Sequence, residues 1–428
     1  MTYEATVRYL FSLGNEVKAA RLGLERMTAL LDALGRPERG RVFIHVAGTN
    51  GKGSTCAMIE SGLRVAGVRT GLYTSPHLAE PTERIRIAGQ PVSREQFSRA
   101  FDQVHSAAER LIACGEFEAH PTYFETVTAM ALLLFRDLDA EITVLEVGLG
   151  GRLDATNVVT PRLAVITPVD FDHESFLGKG LEAIAAEKAG ILKQGVPAIF
   201  STQRPEAAGT LEAHAAALGI VPVHTSSWEV RNLDVDPCGS RFVAVGAGHA
   251  RPAIPIDCPL AGEHQVENAL TALTALDALG YAPELIAEGI RQARWPGRLE
   301  RVSEHPDLIL DGAHNPAGAR ALARYIERFY SGRRVWLIYG AMRDKAVTEM
   351  AGVLFPLAAE VILTSPAQAR AVRPEALREL VDHPRLRIAA RLEEALALVR
   401  REAAPEDAVF ISGSLFLVAE ARALLGLQ

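Results

Sequence analysis

The chain has 428 residues, 48% of them apolar, and a formal net charge of −7; the length suits two or three domains with buried cores, and the acidic balance argues against a nucleic-acid binder as a whole. No run of about 18 apolar residues suggests a membrane span, and "MTYEATVRYLFSLG" reads as an amphipathic helix, not a secretion signal. The scattered cysteines Cys56, Cys114, Cys238 and Cys258 make neither a disulfide framework nor a CxxC zinc motif, so the expectation is a soluble, cytoplasmic protein.

Apolar, β-branched runs alternate with longer helical patterns. Strands are expected at 41–48, 70–75, 141–148 and 162–169, with helices from about 53 to 66, 94 to 113, 123 to 137 and 181 to 193. "VPAIFS" and "IVPVHTS" continue the strand rhythm. This alternation favours a mainly parallel sheet with helices on both faces. The 227–260 stretch, broken by Gly and Pro, suits a small antiparallel sheet, and helical patterns follow over 264–294. The Pro-Gly pair in "RWPGRLERV" breaks the last of these, and the α/β rhythm then restarts. The expected division is 1–296 and 297–428.

Chemistry-bearing residues gather where strands end. "HVAGTNGKGST" (45–55) joins a buried strand to a helix through a glycine-rich turn, the setting in which backbone amides and a helix N-terminus hold phosphate. Its spacing departs from the usual phosphate loop: Gly48 is three positions before Gly51, and Gly53 follows Lys52 where a metal-binding Ser or Thr normally stands. Ser75, after the second strand, can supply the missing hydroxyl, although taken alone a Ser-Pro turn is the better local reading. Glu146 closes a buried run and needs a cation or a metal as partner. Asp170, Asp172 and His173 follow the next strand. Lys188 lies in an apolar helix pattern, where a snorkelling lysine is the simpler local reading. In the second half, Asp311 and His314 end a strand before the helix that starts at Pro316, with helix capping available to Asn315. "FISGSLFL" (410–417) repeats the design with Ser412 and Ser414.

Taken together, "AGTNGKGS", "TSPHL", "ERIRI", "TYFE", "EVGLGGRLDATN", "DH", "AEKAGI", "PGRLE" and "LDGAHNP" resemble, in order, the folylpolyglutamate synthase/dihydrofolate synthase family of Mur-type ATP-dependent amide ligases. The resemblance implies an N-terminal P-loop NTPase-like α/β domain, carrying the small antiparallel sheet, and a C-terminal Rossmann-like α/β domain. It implies that MgATP phosphorylates a pteroate or folate carboxylate and that the amine of L-glutamate attacks the acyl phosphate.

The same resemblance implies the roles of individual residues. Thr49, Asn50, Gly51, Lys52, Gly53 and Ser54 would hold the ATP phosphates. Asn268, Arg298 and Asp311 would contact the nucleotide. Ser75, Glu146 and His173 would hold magnesium, and a carbamylated (N6-carboxylated) Lys188 would hold a second ion; a monovalent cation is a further implied cofactor. Thr122, Tyr123, Phe124, Glu125, Leu153, Asp154 and Ala155 would border dihydropteroate or folate, and His314 and Ser414 would receive glutamate. Lys52, Lys188, Asp311 and His314 are the implied catalytic set. A monomer with no nucleic-acid or membrane partner is expected. Alternatives are a Mur-type ligase of peptidoglycan precursors, weakened because no separate domain for a UDP-sugar precedes the loop, and a phosphate-loop ATPase, a kinase or a non-catalytic nucleotide binder.

Overall fold

In the computed structural model, the described residues are 1–14, 23–247, 252–343 and 345–427. Among them the chain forms three sheets, of eight, three and six strands. The first contains β1 (Val42–Ala47), β2 (Thr70–Tyr73), β3 (Ile85–Ile87), β4 (Gln90–Pro91), β5 (Ile142–Glu146), β6 (Leu163–Ile166), β7 (Ala198–Phe200) and β8 (Val223–His224). Their spatial order is β4-β3-β2-β5-β1-β6-β7-β8. All pairs from β2 to β8 are parallel, while β3 and β4 add antiparallel at one edge.

Both faces of β1 are covered, so apart from the buried His45 it is apolar along its length, with alternate residues facing opposite sides. Phe43 faces a core built from helices Tyr3–Ser12, Glu25–Ala33, Arg94–Ala113 and Tyr123–Asp137. Ile44 and Val46 face the other side, against helices Lys52–Val65, His264–Ala278 and Pro283–Gln292. The helical patterns expected over 264–294 form two helices, divided where Gly280 adopts φ 85° and Pro283 starts a new first turn.

The three-stranded sheet, β9 (Trp228–Asp236), β10 (Gly239–Gly246) and β11 (Ile254–Cys258), is antiparallel as expected and packs Trp228, Phe242 and Ile256 into the same core as Ile44. Residues 248–251 of the 227–260 stretch lie outside the described residues.

The six-stranded sheet contains β12 (Glu300–Ser303), β13 (Asp307–Leu310), β14 (Val335–Tyr339), β15 (Glu360–Leu363), β16 (Leu386–Ile388) and β17 (Ala408–Ser412), in the order β12-β13-β17-β14-β15-β16. Only β12 runs antiparallel among these described strands.

The register places the site. In the first sheet Val46 pairs with Glu146, Ala47 with Ile166 and Tyr73 with Leu145. The loops after β1, β2, β5 and β6 therefore leave side by side from one edge, where the chain departs from β1 to either side, and such crevices hold ligands in α/β sheets. In the second sheet, β13, β14 and β17 likewise end together, gathering residues 311–315, 340–343 and 412–414.

Candidate active site

The glycine-rich loop is shaped by its neighbours. Gly51 stands at φ 82° as the N-cap of helix Lys52–Val65, and a Cβ there would lie 2.1 Å from Asn268 Oδ1. A Cβ on Gly53 would lie 2.8 Å from the Trp295 indole. The position that usually carries the metal-binding hydroxyl is therefore filled from outside by a tryptophan. Thr49 and Asn50 donate their backbone amides to Pro168 O at 3.0 and 3.2 Å, and the Thr49 hydroxyl donates to Asp170 O at 2.9 Å. These bonds tie the loop to the end of β6. The amides of the first helical turn have no intrahelical acceptor and remain for an anion. Ser54 Oγ accepts from Gln265 Nε2 at 3.3 Å, and Asn268 Nδ2 donates to Gln265 Oε1 at 2.9 Å.

Two lysines converge on one carbonyl. Lys52 Nζ donates to Gly48 O at 3.1 Å and Thr49 O at 3.0 Å, and Lys188 Nζ donates to Gly48 O at 2.8 Å. Lys188 is buried rather than snorkelling. Burial first, and the Lys52 charge second, bring its pKa down to about 7. Glu146, at the end of β5, accepts the Ser75 backbone amide at 3.0 Å on Oε2. Burial raises its pKa against the opposing charges of Lys52, Arg298 and Arg84.

A second cluster joins the two sheets. Asp172 accepts from Lys345 Nζ at 2.9 Å and from Asn315 Nδ2 at 3.1 Å. Asn315 Nδ2 also reaches Asn50 Oδ1 at 3.0 Å, while Asn315 Oδ1 caps helix Pro316–Tyr330 through Gly318 N at 2.8 Å. His173 Nε2 lies 3.3 Å from Lys345 Nζ. His314 hydrogen-bonds Gly312 O through Nδ1 at 2.8 Å, which makes Nδ1 the donor, and its Nε2 lies 3.8 Å from Asp172 Oδ2. Burial and the Lys345 charge lower the His314 pKa to about 4, so the ring is neutral near pH 7. Burial disfavours the Asp172 carboxylate, but Lys345, His173 and His314 outweigh it and hold its pKa well below the usual range.

Asp311 accepts the backbone amides of Leu299 and Ala313, each at 3.0 Å. Burial raises its pKa despite the Arg298 charge. Burial also lowers the pKa of Arg298, whose Nη1 donates to Gly297 O at 3.3 Å.

The residues expected to border the first substrate make the following contacts. Thr122 and Glu125 form a capping box for helix Tyr123–Asp137, and Arg26 Nε donates to Glu125 Oε1 at 3.0 Å. Tyr123 stacks on the exposed Phe11 at 5.7 Å, with the Arg84 guanidinium 5.0 Å over its ring. Phe124 fills the space where Gly148 lacks a side chain. Asp154, between half-buried Leu153 and buried Ala155, accepts from the amides of Gly148, Leu149 and Thr156. Ser414 is buried and caps helix Leu415–Leu424 through Phe416 N at 3.2 Å.

Sequence reasoning overlooked Gln265, Trp295 and Lys345. Gln265 stands three positions before Asn268 on one helix face, and Lys345 follows a strand end, so both carried a legible signal. The Trp295 contact with Gly53 had none.

The description "Mur ligase middle domain" matches residues 46–276, and "Mur ligase, glutamate ligase domain" matches 297–415. The dihydrofolate synthase/folylpolyglutamate synthase of Bacillus subtilis is 34% identical over 94% of this chain and 94% of its own length. The folylpolyglutamate synthase of Lacticaseibacillus casei is 34% identical over 99% of both. The chain spans about half the length of another relative, the "Probable bifunctional folylpolyglutamate synthase/dihydropteroate synthase" of Halobacterium salinarum, at 35% identity over 99% of this chain and 51% of the relative. Among solved structures, Mycobacterium tuberculosis folylpolyglutamate synthase complexed with ADP superposes with TM-score 0.92 at 32% identity, covering 100% of this chain and 99% of that one. The E. coli FolC complex with DHPP and ADP gives 0.88 at 32% identity, covering 100% and 98%. Matched along nearly its whole length in sequence and in fold, the chain belongs to the folylpolyglutamate synthase/dihydrofolate synthase branch of the Mur ligases, which are ATP-dependent ligases.

Proposed function

We propose that this chain joins L-glutamate to dihydropteroate, forming dihydrofolate, and to folates, forming polyglutamates, each through an acyl phosphate. The observation that carries this reading is the meeting of Lys52, Lys188 and Glu146 at one strand edge, facing Asp311–Asn315 across the Asn50–Asn315 contact. A carboxylate resists amine attack until one oxygen becomes a phosphate leaving group. Lys52 and the first-turn amides would hold the ATP phosphates and stabilise charge on the transferred phosphoryl group. Asn268, Arg298 and Asp311 would position the nucleotide. Neutral His314 would orient glutamate or take a proton from its ammonium, leaving the free amine to attack the acyl phosphate as phosphate departs, with Ser414 nearby in the fold of that domain. Tyr123, Phe124 and the loop held by Asp154 would border the pteroate ring system.

The donor set suits magnesium: Glu146 is a buried carboxylate at the end of β5, and Ser75 and His173 follow β2 and β6 of the same sheet, so these residues would hold the ion. Magnesium supplies Lewis-acid stabilisation of the phosphate oxygens. With a pKa of about 7, Lys188 presents a neutral amine to carbon dioxide, so carbamylation would turn it into an oxygen ligand.

ADP release tests the reading, measured with and without dihydropteroate and L-glutamate, and with tetrahydrofolate in parallel. Release should require glutamate and one of the two acceptors. Release that ignores glutamate would favour an ATPase or kinase, and absent turnover a nucleotide-binding module.

A further inference from the structure

Away from this cleft, on the outer side of the helix core, three ligand-type side chains converge. His105 and Glu109 stand one turn apart on helix Arg94–Ala113, and His120 comes from the segment joining that helix to Tyr123–Asp137. Glu109 Oε1 lies 2.9 Å from His120 Nε2 and 3.8 Å from His105 Nε2. One ligand atom from each residue lies within 4.8 Å of the other two, the only such His/Cys/Asp/Glu group among the described residues. Ligands about 2.0–2.1 Å from a tetrahedral zinc are separated by roughly 3.4 Å. The group is therefore close to a coordination shell without backbone movement, since Glu109 is exposed and free to adjust.

The aromatic surroundings fix the two imidazoles. Their rings stack at 5.3 Å and 16°. Phe101 also stacks with His105 at 5.4 Å, and Tyr9 makes edge-type contacts with both imidazoles, at 4.8 and 5.9 Å. Rings held in this way point both Nε2 atoms toward one carboxylate, so little side-chain freedom remains to be lost on binding.

We propose that His105, Glu109 and His120 form a binding site for a borderline first-row divalent cation such as zinc, with water completing the shell. Two imidazoles and one carboxylate suit that class, whereas magnesium prefers oxygen ligands alone. A bound ion would staple the segment carrying His120 to helix Arg94–Ala113. That segment runs directly into the Thr122 capping box, so the staple is a structural support for the wall on which Tyr123 and Phe124 stand. It is separate from the magnesium chemistry of the cleft.

The test is zinc titration of the metal-stripped full-length protein with MgATP in excess, followed by calorimetry and by the visible absorption of a cobalt substitute. The wild type should bind one equivalent more tightly than the His105→Gln/His120→Gln double variant by at least tenfold. Its cobalt form should give the intense band of a four-coordinate site, and zinc should raise Tm in the wild type only. Equal zinc affinity and stoichiometry in wild type and double variant would overturn the proposal, as would no zinc uptake by the wild type. Because the stacked imidazoles also pack, Glu109→Gln runs beside them; it should weaken zinc at least tenfold, and unchanged affinity would count against the site.

Discussion

Lys188 shows how burial prepares a residue. The same desolvation that lowers its pKa to about 7 from 10.5 leaves the folded state with fewer bound protons than the unfolded chain between those values. Stability must therefore rise with pH across that window, and the penalty of burying the ammonium is fully present below it. In carbon-dioxide-free buffer, urea unfolding should show the wild type gaining on Lys188→Met between about pH 7 and 10.5; a constant difference would contradict the depressed value. Lys52 is also tied to the Gly48 carbonyl but has a different task. Lys52→Ala should lower kcat by on the order of 10²–10³ with the fold intact, as judged by circular dichroism. Near-normal turnover would remove it from the catalytic set.

At the scale of the element, the loop after β1 is explained by its partners. Gly53 is small because Trp295 presses on it, and Gly51 is small because of both its φ and Asn268. Gly53→Ser, which restores the common phosphate-loop pattern in sequence, should overpack the Trp295 contact and cost about 1–3 kcal/mol in urea denaturation. Adding Trp295→Leu should recover part of that loss; no recovery would show that Trp295 is not the obstacle. The capping box is similar in kind. Thr122→Ala removes the side chain that accepts Glu125 N and should cost about 1 kcal/mol, seen as a lower Tm.

For the whole molecule, a set of polar contacts ties the two α/β units together, with Asp172 at its centre. Lys345 and Asn315 from one side share Asp172 on the other, and Arg320 reaches Asp170 at 3.5 Å. Lys345 and Asp172 are both mostly buried, so losing Lys345 removes the lysine charge that faces the Asp172 carboxylate and leaves it Asn315 and the two histidines. Lys345→Met should shift the equilibrium toward a more open arrangement, read as a larger radius of gyration in small-angle scattering. Saturating MgATP and dihydropteroate should draw it back. Identical profiles for variant and wild type, with and without ligands, would rule out this contact as the controlling one.

The order of strands and helices was legible because hydrophobic period and glycine-proline breaks are local properties of the chain. The positions of Lys52, Glu146, Asp311 and His314 at or just after strand ends were legible for the same reason, and the ordered motifs pointed to one ligase family. Local reading failed for Lys188, which sits in an apolar helix pattern either way; only packing decides whether its ammonium reaches water or Gly48 O. Cysteine spacing gave no sign of a metal site, and the His105–Glu109–His120 group is not a sequence motif, since a connecting segment must turn back to deliver His120. The sequence by itself determined which residues end strands and cap helices, because those follow from neighbours within a few positions. Tertiary structure alone decided that Trp295 fills the space over Gly53, that Gln265 reaches Ser54 and that Lys345 meets Asp172. These pairs are distant along the chain, and their contacts exist only once the sheets and helices have packed.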